Sequence, residues 1–206
     1  MTRVIKKIPY FSQWESSELV GKIIGGKIGA REDPGWELSG AKTSEEYEHW
    51  SWNICGMACL KMILASKFEE EHKTIELAKK CEGYGGYVQN REKIDGLFYK
   101  PFCKFLANEF QIKAKIFRMF LTIGRIKREV QRGNYFIVSV SSSIRDVAKI
   151  PEHKSGHLIL ITGFDDRKKT LFLHNPSGLH GKSQKNYEIT EKDFTKFFAG
   201  RGVLIY

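Results

Sequence analysis

Cys55 is the residue in this chain whose surroundings best suit a nucleophile. A thiol attacks a carbonyl carbon as the thiolate, and the free N–H groups and positive dipole end of a helix N-terminus favour that anion. Residues 55–67 form an apolar run typical of a buried helix, with Asn53 as the predicted N-cap. Gly56 follows the thiol and would let a substrate backbone approach. Cys59, one turn further along, is predicted to belong to the core.

His157 is the predicted base for this thiol. It follows Gly156 and opens a strand, 157–164, that is otherwise apolar. An imidazole can take the thiol proton and return it to the leaving group, and a neighbouring amide can hold the imidazole tautomer. A hairpin joining 157–164 to 170–174 would bring Asn175 close to His157. The alternative is that Asn175 and Pro176 only form a turn.

The elements that must position these residues follow an order of helices first and strands later. Periodicity predicts helices at 55–67, 74–81, 99–110, 122–132 and 190–199, and strands at 4–11, 112–118, 135–141, 157–164, 170–174 and 202–206. The turn Asp165–Lys169 lets 170–174 pair back on 157–164 as a hairpin, and an antiparallel sheet is expected to follow the helices. The predicted fold class is therefore α+β.

Residues 15–52 differ from the rest of the chain because six glycines interrupt them and their net charge is −4. The pattern predicts a long loop with little regular structure, and long loops are often functional. We expect a single domain over 1–206 that carries a flap-like insertion at about 15–50. The hypothesis is that this insertion covers the cleft.

Composition limits the possible partners. The chain has 206 residues, 41% of them hydrophobic, and four cysteines, too few for a disulfide framework. The excess of ten positive charges lies in residues 101–206, but no nucleic-acid signature accompanies it, so a solvated surface is the preferred interpretation. No metal, cofactor or membrane span is predicted. His153 lies four residues before His157, but Pro151 and Gly156 argue against a helical metal pair. A cytoplasmic location is expected, or secretion if a signal peptide has been removed.

The order of four segments resembles the bacteriocin-leader-processing peptidase family, and especially its stand-alone relatives, within the papain-like superfamily. The segments are Ile8–Gln13, Cys55–Ala58, Gly156–Asp165 and Asn175–Pro176. The resemblance spans most of the chain outside residues 15–50. It implies a papain-like fold in which an N-terminal helical lobe packs on an antiparallel sheet.

The resemblance also implies roles for residues. Cys55 would be the nucleophile, His157 the base and Asn175 the orienting residue, at a position where the family often has aspartate. Gln13 would supply an oxyanion-hole donor beside the backbone N–H of Cys55. The family's glutamine usually lies shortly before the cysteine, whereas 41 residues separate Gln13 from Cys55 here. Either 15–50 is an insertion that leaves Gln13 in place, or Gln13 is structural and Asn53 serves.

The leading hypothesis is a bacterial cysteine peptidase that cleaves a peptide or protein substrate through a thioester, and the resemblance suggests cleavage after small residues such as Gly-Gly. Gly56, Gly156 and Trp52 are the predicted substrate-binding residues. The first alternative is acyl transfer or deamidation by the same triad. The second is a non-catalytic, basic binding module.

Overall fold

A computed structural model of the protein describes residues 2–90 and 93–206. Its α-helices are α1 (Val20–Ile24), α2 (Ser44–Ser51), α3 (Cys55–Phe68), α4 (Thr74–Gly83), α5 (Tyr99–Phe110), α6 (Ile123–Gln131) and α7 (Glu191–Phe197). Its strands are β1 (Arg3–Ile5), β2 (Val88–Gln89), β3 (Ile94–Asp95), β4 (Ala114–Phe117), β5 (Tyr135–Ser141), β6 (Gly156–Asp165), β7 (Thr170–His174), β8 (Tyr187–Thr190) and β9 (Phe198–Ile205). The α+β class is confirmed.

The main sheet has the strand order β4-β9-β5-β6-β7-β8, and every pairing in it is antiparallel. Strand β6 is long enough to have two partners along one edge. Its residues 156–161 pair with β5, and its residues 163–165 pair with β1. Strand β1 therefore continues this edge of the sheet beyond the end of the pairing between β5 and β6.

Both faces of the sheet are covered, which explains why every residue of β5, and every residue of β6 after the first, is buried. Successive side chains of a strand point to opposite faces, so β5 contributes to two cores. Ile137 belongs to the core shared with α3, α4 and α5. Phe136 and Val138 belong to the core on the other face, which α6 and α7 cover. The helical lobe thus rests on one face, with β6 and β5 beneath α3.

The predicted elements agree with the structure best where apolar periodicity is strong. The strands at 135–141 and 170–174 and the helix at 99–110 have the predicted bounds. Other expectations were wrong. The predicted strand 4–11 is limited to Arg3–Ile5, because residues 8–13 bond instead to the loop after β7. Strand β8 was not predicted, and β9 begins at Phe198 rather than Gly202.

The expectation of little regular structure in residues 15–52 was also wrong. This segment contains α1, α2 and 3-10 turns at Ser17–Leu19, Ala30–Glu32 and Trp36–Ser39. Its buried side chains include Val20, Ile23, Tyr47 and Trp50, and they join the helical core. The segment packs on α4, through α2 and the turn at Trp36–Ser39. Its proposed action as a flap over the cleft stays a prediction.

A buried carboxylate organises this segment. Asp33 accepts hydrogen bonds from the Tyr47 hydroxyl at 2.6 Å, from the Gly35 N–H at 2.9 Å and from the Ser16 N–H at 3.1 Å. Asp33 is fully buried, and a buried charge is tolerated only where such donors surround it. The side chains that order the segment are thus polar and far apart in sequence, which is why apolar periodicity did not reveal them.

Candidate active site

Cys55 is the first residue of α3, as predicted, but the cap differs from the prediction. Ile54 rather than Asn53 occupies the N-cap position and provides no side-chain bond to the helix start. No N-cap side chain therefore accepts a hydrogen bond from the first N–H groups of α3. These N–H groups point toward the N-terminal end of the helix, where the Cys55 sulfur lies. The backbone N–H groups of Leu158, Gly56 and Cys55 itself act to lower the pKa of the Cys55 thiol.

Burial nevertheless dominates the acidity of the thiol. It raises the pKa of Cys55 to about 11, and the backbone N–H groups of Leu158 and Gly56 offset only part of that increase. The residue as a whole is half-buried and lines an open groove, so the sulfur is reachable although it is poorly hydrated. At neutral pH the resting side chain is therefore a thiol, which needs a base before it can act as a nucleophile.

Gly56 lies beneath the groove rather than on its wall. A Cβ atom at this position would come within 2.7 Å of the Leu97 side chain and 3.0 Å of the Leu158 side chain. The space beside the glycine is thus filled by those two leucines, and Gly56 is buried. This differs from the expectation that a substrate backbone would occupy the space. The glycine lets α3 pack closely on Leu97 and on β6.

His157 is the second residue of β6 and lines the same groove as Cys55. Gly156 precedes it with a φ of +96°, a conformation that residues with a side chain rarely adopt. This turn directs the chain into the strand so that the imidazole is 5% exposed while Gly156 itself is exposed at the groove wall. Sheet pairing places Leu160 opposite His174, so the residue after His174 lies near the start of β6.

That residue is Asn175, and its Oδ1 lies 2.8 Å from Nε2 of His157. The backbone N–H of Ser177 donates to the same Oδ1 at 3.2 Å, which identifies this atom as the amide oxygen. Because an amide oxygen only accepts, Nε2 must carry the imidazole proton. His157 is therefore held as the tautomer whose Nδ1 has a free lone pair. Asn175 is fully buried, and its Nδ2 has no partner among the described residues.

Two further residues of this network were missed by the sequence analysis. The Ser177 hydroxyl lies 3.1 Å from Nε2 of His157 and accepts a hydrogen bond from Arg145 at 2.8 Å. Ser177 belongs to the same turn as Asn175 and could have been suspected from that. Arg145 lies in the 3-10 turn Ser142–Arg145 after β5, and no sequence signal places it near the histidine.

The imidazole is neutral in this environment. Burial lowers the pKa of His157 to about 4; the hydrogen bond that Nε2 donates to Asn175 raises it only partly, and the positive charge of Arg145 lowers it further. The same burial raises the pKa of Cys55, so both members of the pair favour their uncharged forms. A proton transfer from sulfur to imidazole must therefore be driven by the reaction itself.

Gln13 is brought to this region although 41 residues separate it from Cys55. Its backbone N–H donates to the Pro176 carbonyl at 2.9 Å, and its side-chain Nε2 donates to the Ser51 carbonyl at 3.0 Å. The Ser12 hydroxyl also donates to the Pro176 carbonyl. Gln13 thus connects the loop of Asn175 to the residues just before Cys55. Its side chain is buried and does not line the groove.

Asn53, the alternative to Gln13, does line the groove, and its Nδ2 makes one long bond of 3.4 Å to the His49 carbonyl. Trp52 lines it as well and is 47% exposed, with its ring packed edge-on against Trp14 at 5.0 Å. The groove has a volume of about 480 Å³, which suits a short stretch of peptide. Of the predicted residues, Cys55, His157, Gly156 and Trp52 meet at this groove.

Within residues 2–90 and 93–206, no cluster of three or more histidine, cysteine or acidic side chains is arranged to hold a metal ion. None of the helices there combines the length and apolar character needed to cross a bilayer. His174 is structural, since its two ring nitrogens bond the Ile8 carbonyl and the Asn186 N–H, each at 3.0 Å.

Comparison with known proteins identifies the family of the chain. The model of the Peptidase_C39-like family matches residues 5–203. The chain belongs to this family. The family identifies it as a cysteine peptidase at the family level, with a peptide as the expected class of substrate. The finer resemblance to the bacteriocin-processing subtype stays a prediction.

A solved structure shows the same fold. It comes from Bacillus anthracis and is described as a C39-like peptidase, with a TM-score of 0.53 and 10% identity. The similarity covers 100% of this chain and 98% of that one. At this identity the similarity supports the fold of the family member and nothing finer. No curated protein matches the chain.

Proposed function

We propose that this protein hydrolyses a peptide bond with Cys55 as nucleophile, His157 as general base and Asn175 as the residue that orients the base. The observation that carries the proposal is the 2.8 Å contact between His157 Nε2 and Asn175 Oδ1, in a groove that Cys55 also lines. It leaves Nδ1 of the imidazole as the basic nitrogen, since Asn175 and Ser177 engage Nε2.

The reaction follows from these positions. As the Cys55 sulfur attacks the scissile carbonyl carbon, its proton moves to Nδ1 of His157. The imidazolium then gives that proton to the leaving amine, the C–N bond breaks, and a thioester to Cys55 remains. Water attacks the thioester while His157 takes one of its protons, and the proton returns to the sulfur as the acid product leaves. The neutral resting pair avoids a permanently charged, poorly hydrated thiolate.

The developing oxyanion needs donors beyond the backbone N–H of Cys55, and two side chains are candidates. Gln13 has one amide hydrogen committed to Ser51, and Asn53 lines the groove with a weakly bonded amide. Loss of such a donor typically lowers kcat by about 10²–10³-fold. The variants Gln13→Ala and Asn53→Ala therefore discriminate the two, because the true donor lowers kcat while KM changes little.

Selective alkylation of Cys55 tests the proposal without a known substrate. Cys103 is a matched control, since it is also a half-buried free thiol and burial raises its pKa to about 11 as well. Without a base, the two thiols should react equally slowly with iodoacetamide at pH 7. We expect Cys55 to react faster, and His157→Ala to remove the difference. Equal rates in the unaltered protein, read by peptide mass spectrometry, would contradict catalysis and favour a binding module.

Peptide libraries then test the reaction class. Hydrolysis of a peptide bond that Cys55→Ala abolishes supports a peptidase, and cleavage after Gly-Gly would support the finer bacteriocin-leader-processing resemblance. Transfer of the acyl group to hydroxylamine in preference to water, or release of ammonia from glutamine, would indicate the acyltransferase or deamidase alternative. These outcomes are distinguished by mass, because each adds or removes a different group.

A further inference from the structure

Every charged side chain that lines the groove beside Cys55 is a cation. These are Lys100, Arg118 and Arg201, and no carboxylate lines the groove among the described residues. All three are exposed, and within that part of the chain none of them forms an ion pair. Charges of one sign collected in a cleft concentrate ligands of the opposite sign there.

The fold gathers these cations from three elements. Lys100 is in the first turn of α5, Arg118 directly follows β4, and Arg201 lies in β9. Strands β4 and β9 are paired at Phe117 and Gly202, so the two arginines adjoin this register pair at the same end of the sheet. A neighbouring depression shares both arginines and adds Lys154, so the positive surface continues away from the thiol.

Tyr99 connects the cationic surface to the nucleophile. Burial raises the pKa of Tyr99; the nearby guanidinium of Arg201 lowers it, and the nearby Cys55 raises it. Tyr99, Arg201 and Cys55 also line the same groove, so the cationic surface and the thiol face one space. A ligand group held by Arg201 would belong to a residue next to, or very near, the bond under attack.

We propose that the groove selects substrates with a carboxylate within a few residues of the scissile bond, held by Arg201 with Arg118 and Lys100. This inference rests on the proposed function, because it names the substrate class of the same site. The carboxylate is either an aspartate or glutamate side chain or the free C-terminus of the peptide. Arginine suits both, since its planar fork binds the two oxygens of a carboxylate.

A pair of small electrophiles tests the charge preference directly at Cys55. Iodoacetate and iodoacetamide alkylate sulfur by the same displacement of iodide, but only the first carries a carboxylate. For each reagent, the alkylation rate at Cys55 is divided by its rate with free glutathione. The preference ratio is the quotient for iodoacetate divided by the quotient for iodoacetamide. Because the His157 imidazole is neutral, a preference for iodoacetate that disappears when the groove cations are replaced comes from those cations.

We expect the ratio to exceed one in the unaltered protein and to fall about fivefold in the combined variant Lys100→Gln, Arg118→Gln, Arg201→Gln, since exposed charges contribute little each but act together. High salt should also lower the preference ratio, because dissolved ions screen the charges of the groove. The matched control is the combined variant Lys104→Gln, Lys113→Gln, Arg128→Gln, which removes three exposed cations outside the groove. A ratio that the groove substitutions leave unchanged would overturn the proposal.

A binding assay separates this inference from the proposed catalysis. Fluorescein-labelled alanine-rich peptides with a single Glu or Gln at successive positions, each made with a free or an amidated C-terminus, are titrated against Cys55→Ala. Tighter binding of the Glu peptides identifies a side-chain carboxylate, and tighter binding of the free acids identifies a C-terminus. No discrimination, or displacement by an oligothymidylate and not by acidic peptides, would overturn the proposal. If iodoacetamide labels Cys55 no faster than Cys103 but the preference ratio exceeds one, only the catalytic proposal is overturned.

Discussion

Replacing Asn175 with aspartate is expected to change the protonation of His157 without moving it. The substitution exchanges the unpartnered Nδ2 for an oxygen and places a carboxylate at the position that is 2.8 Å from Nε2. The Ser177 N–H and the guanidinium of Arg145, which reaches this turn through the Ser177 hydroxyl, both favour the ionised carboxylate. Asn175→Asp therefore introduces a negative charge beside an imidazole that now has only a neutral acceptor.

The size of the effect follows from the distance. An opposite charge this close typically raises a histidine pKa by about 1–3 units, which corresponds to about 1.4–4 kcal/mol. Burial now holds the pKa of His157 at about 4. In the variant it should lie at about 5–7, because the imidazolium gains a charged partner. The base form would then be lost at a higher pH than in the unaltered protein.

The assay is the pH dependence of Cys55 alkylation by iodoacetamide, together with an NMR titration of the His157 ring. Since the unprotonated Nδ1 is the base, the acid limb of the alkylation profile should move upward by about the same 1–3 units. Asn108→Asp, which places a carboxylate at an exposed position of α5, should leave both curves unchanged. An unshifted His157 pKa in a folded Asn175→Asp protein would refute the assignment of this pair.

Three further outcomes are expected. Burial lowers the pKa of His157, so between pH 6.5 and 4 the unfolded chain binds a proton at this residue and the folded chain does not. The free energy of unfolding should therefore fall by up to about 3 kcal/mol as the pH falls from 6.5 to 4. In urea titrations, His157→Gln should reduce this dependence on pH, and His180→Gln should not. Gly163→Ala should strongly lower the melting temperature because the added methyl would overlap the backbone of β1, whereas Gly124→Ala, in open space on α6, should stabilise by about 0.5–1 kcal/mol. Ser177→Ala should cost about 1–3 kcal/mol in chemical unfolding, since it leaves a partly buried guanidinium without its acceptor, and should also slow Cys55 alkylation.

The positions of Cys55 and His157 could be predicted from sequence because each lies at the start of an element with strong periodicity. The apolar run after Cys55 indicated a helix, and the apolar run after His157 indicated a strand, so both chemical groups were expected at element ends. The hairpin that brings Asn175 to His157 followed from the short turn between β6 and β7. The local sequence pattern was enough to predict the contact between His157 and Asn175, because β6 and β7 are consecutive strands of one hairpin.

The remaining features depend on contacts that leave no local pattern. Arg145 reaches the site only because the chain turns after β5, and nothing in Ser142–Arg145 indicates the direction of that turn. The order in residues 15–52 depends on hydrogen bonds to Asp33 from residues on both sides of it in sequence. The packing of Gly56 under Leu97 and Leu158 similarly reflects where α3 meets the sheet. These features are set by tertiary contacts rather than by composition.

The contacts between residues 8–13 and the loop after β7 also bear on when the protein becomes active during synthesis. Tyr10, Ser12 and Gln13 bond to carbonyls of Asn175 and Pro176, more than 160 residues away. A nascent chain that carries the thiol but ends before this loop has neither the residue that orients His157 nor the surface on which its own N-terminal segment rests. Cys55 therefore leaves the ribosome long before the contact between His157 and Asn175 can form, so the proposed activity must await synthesis of this loop.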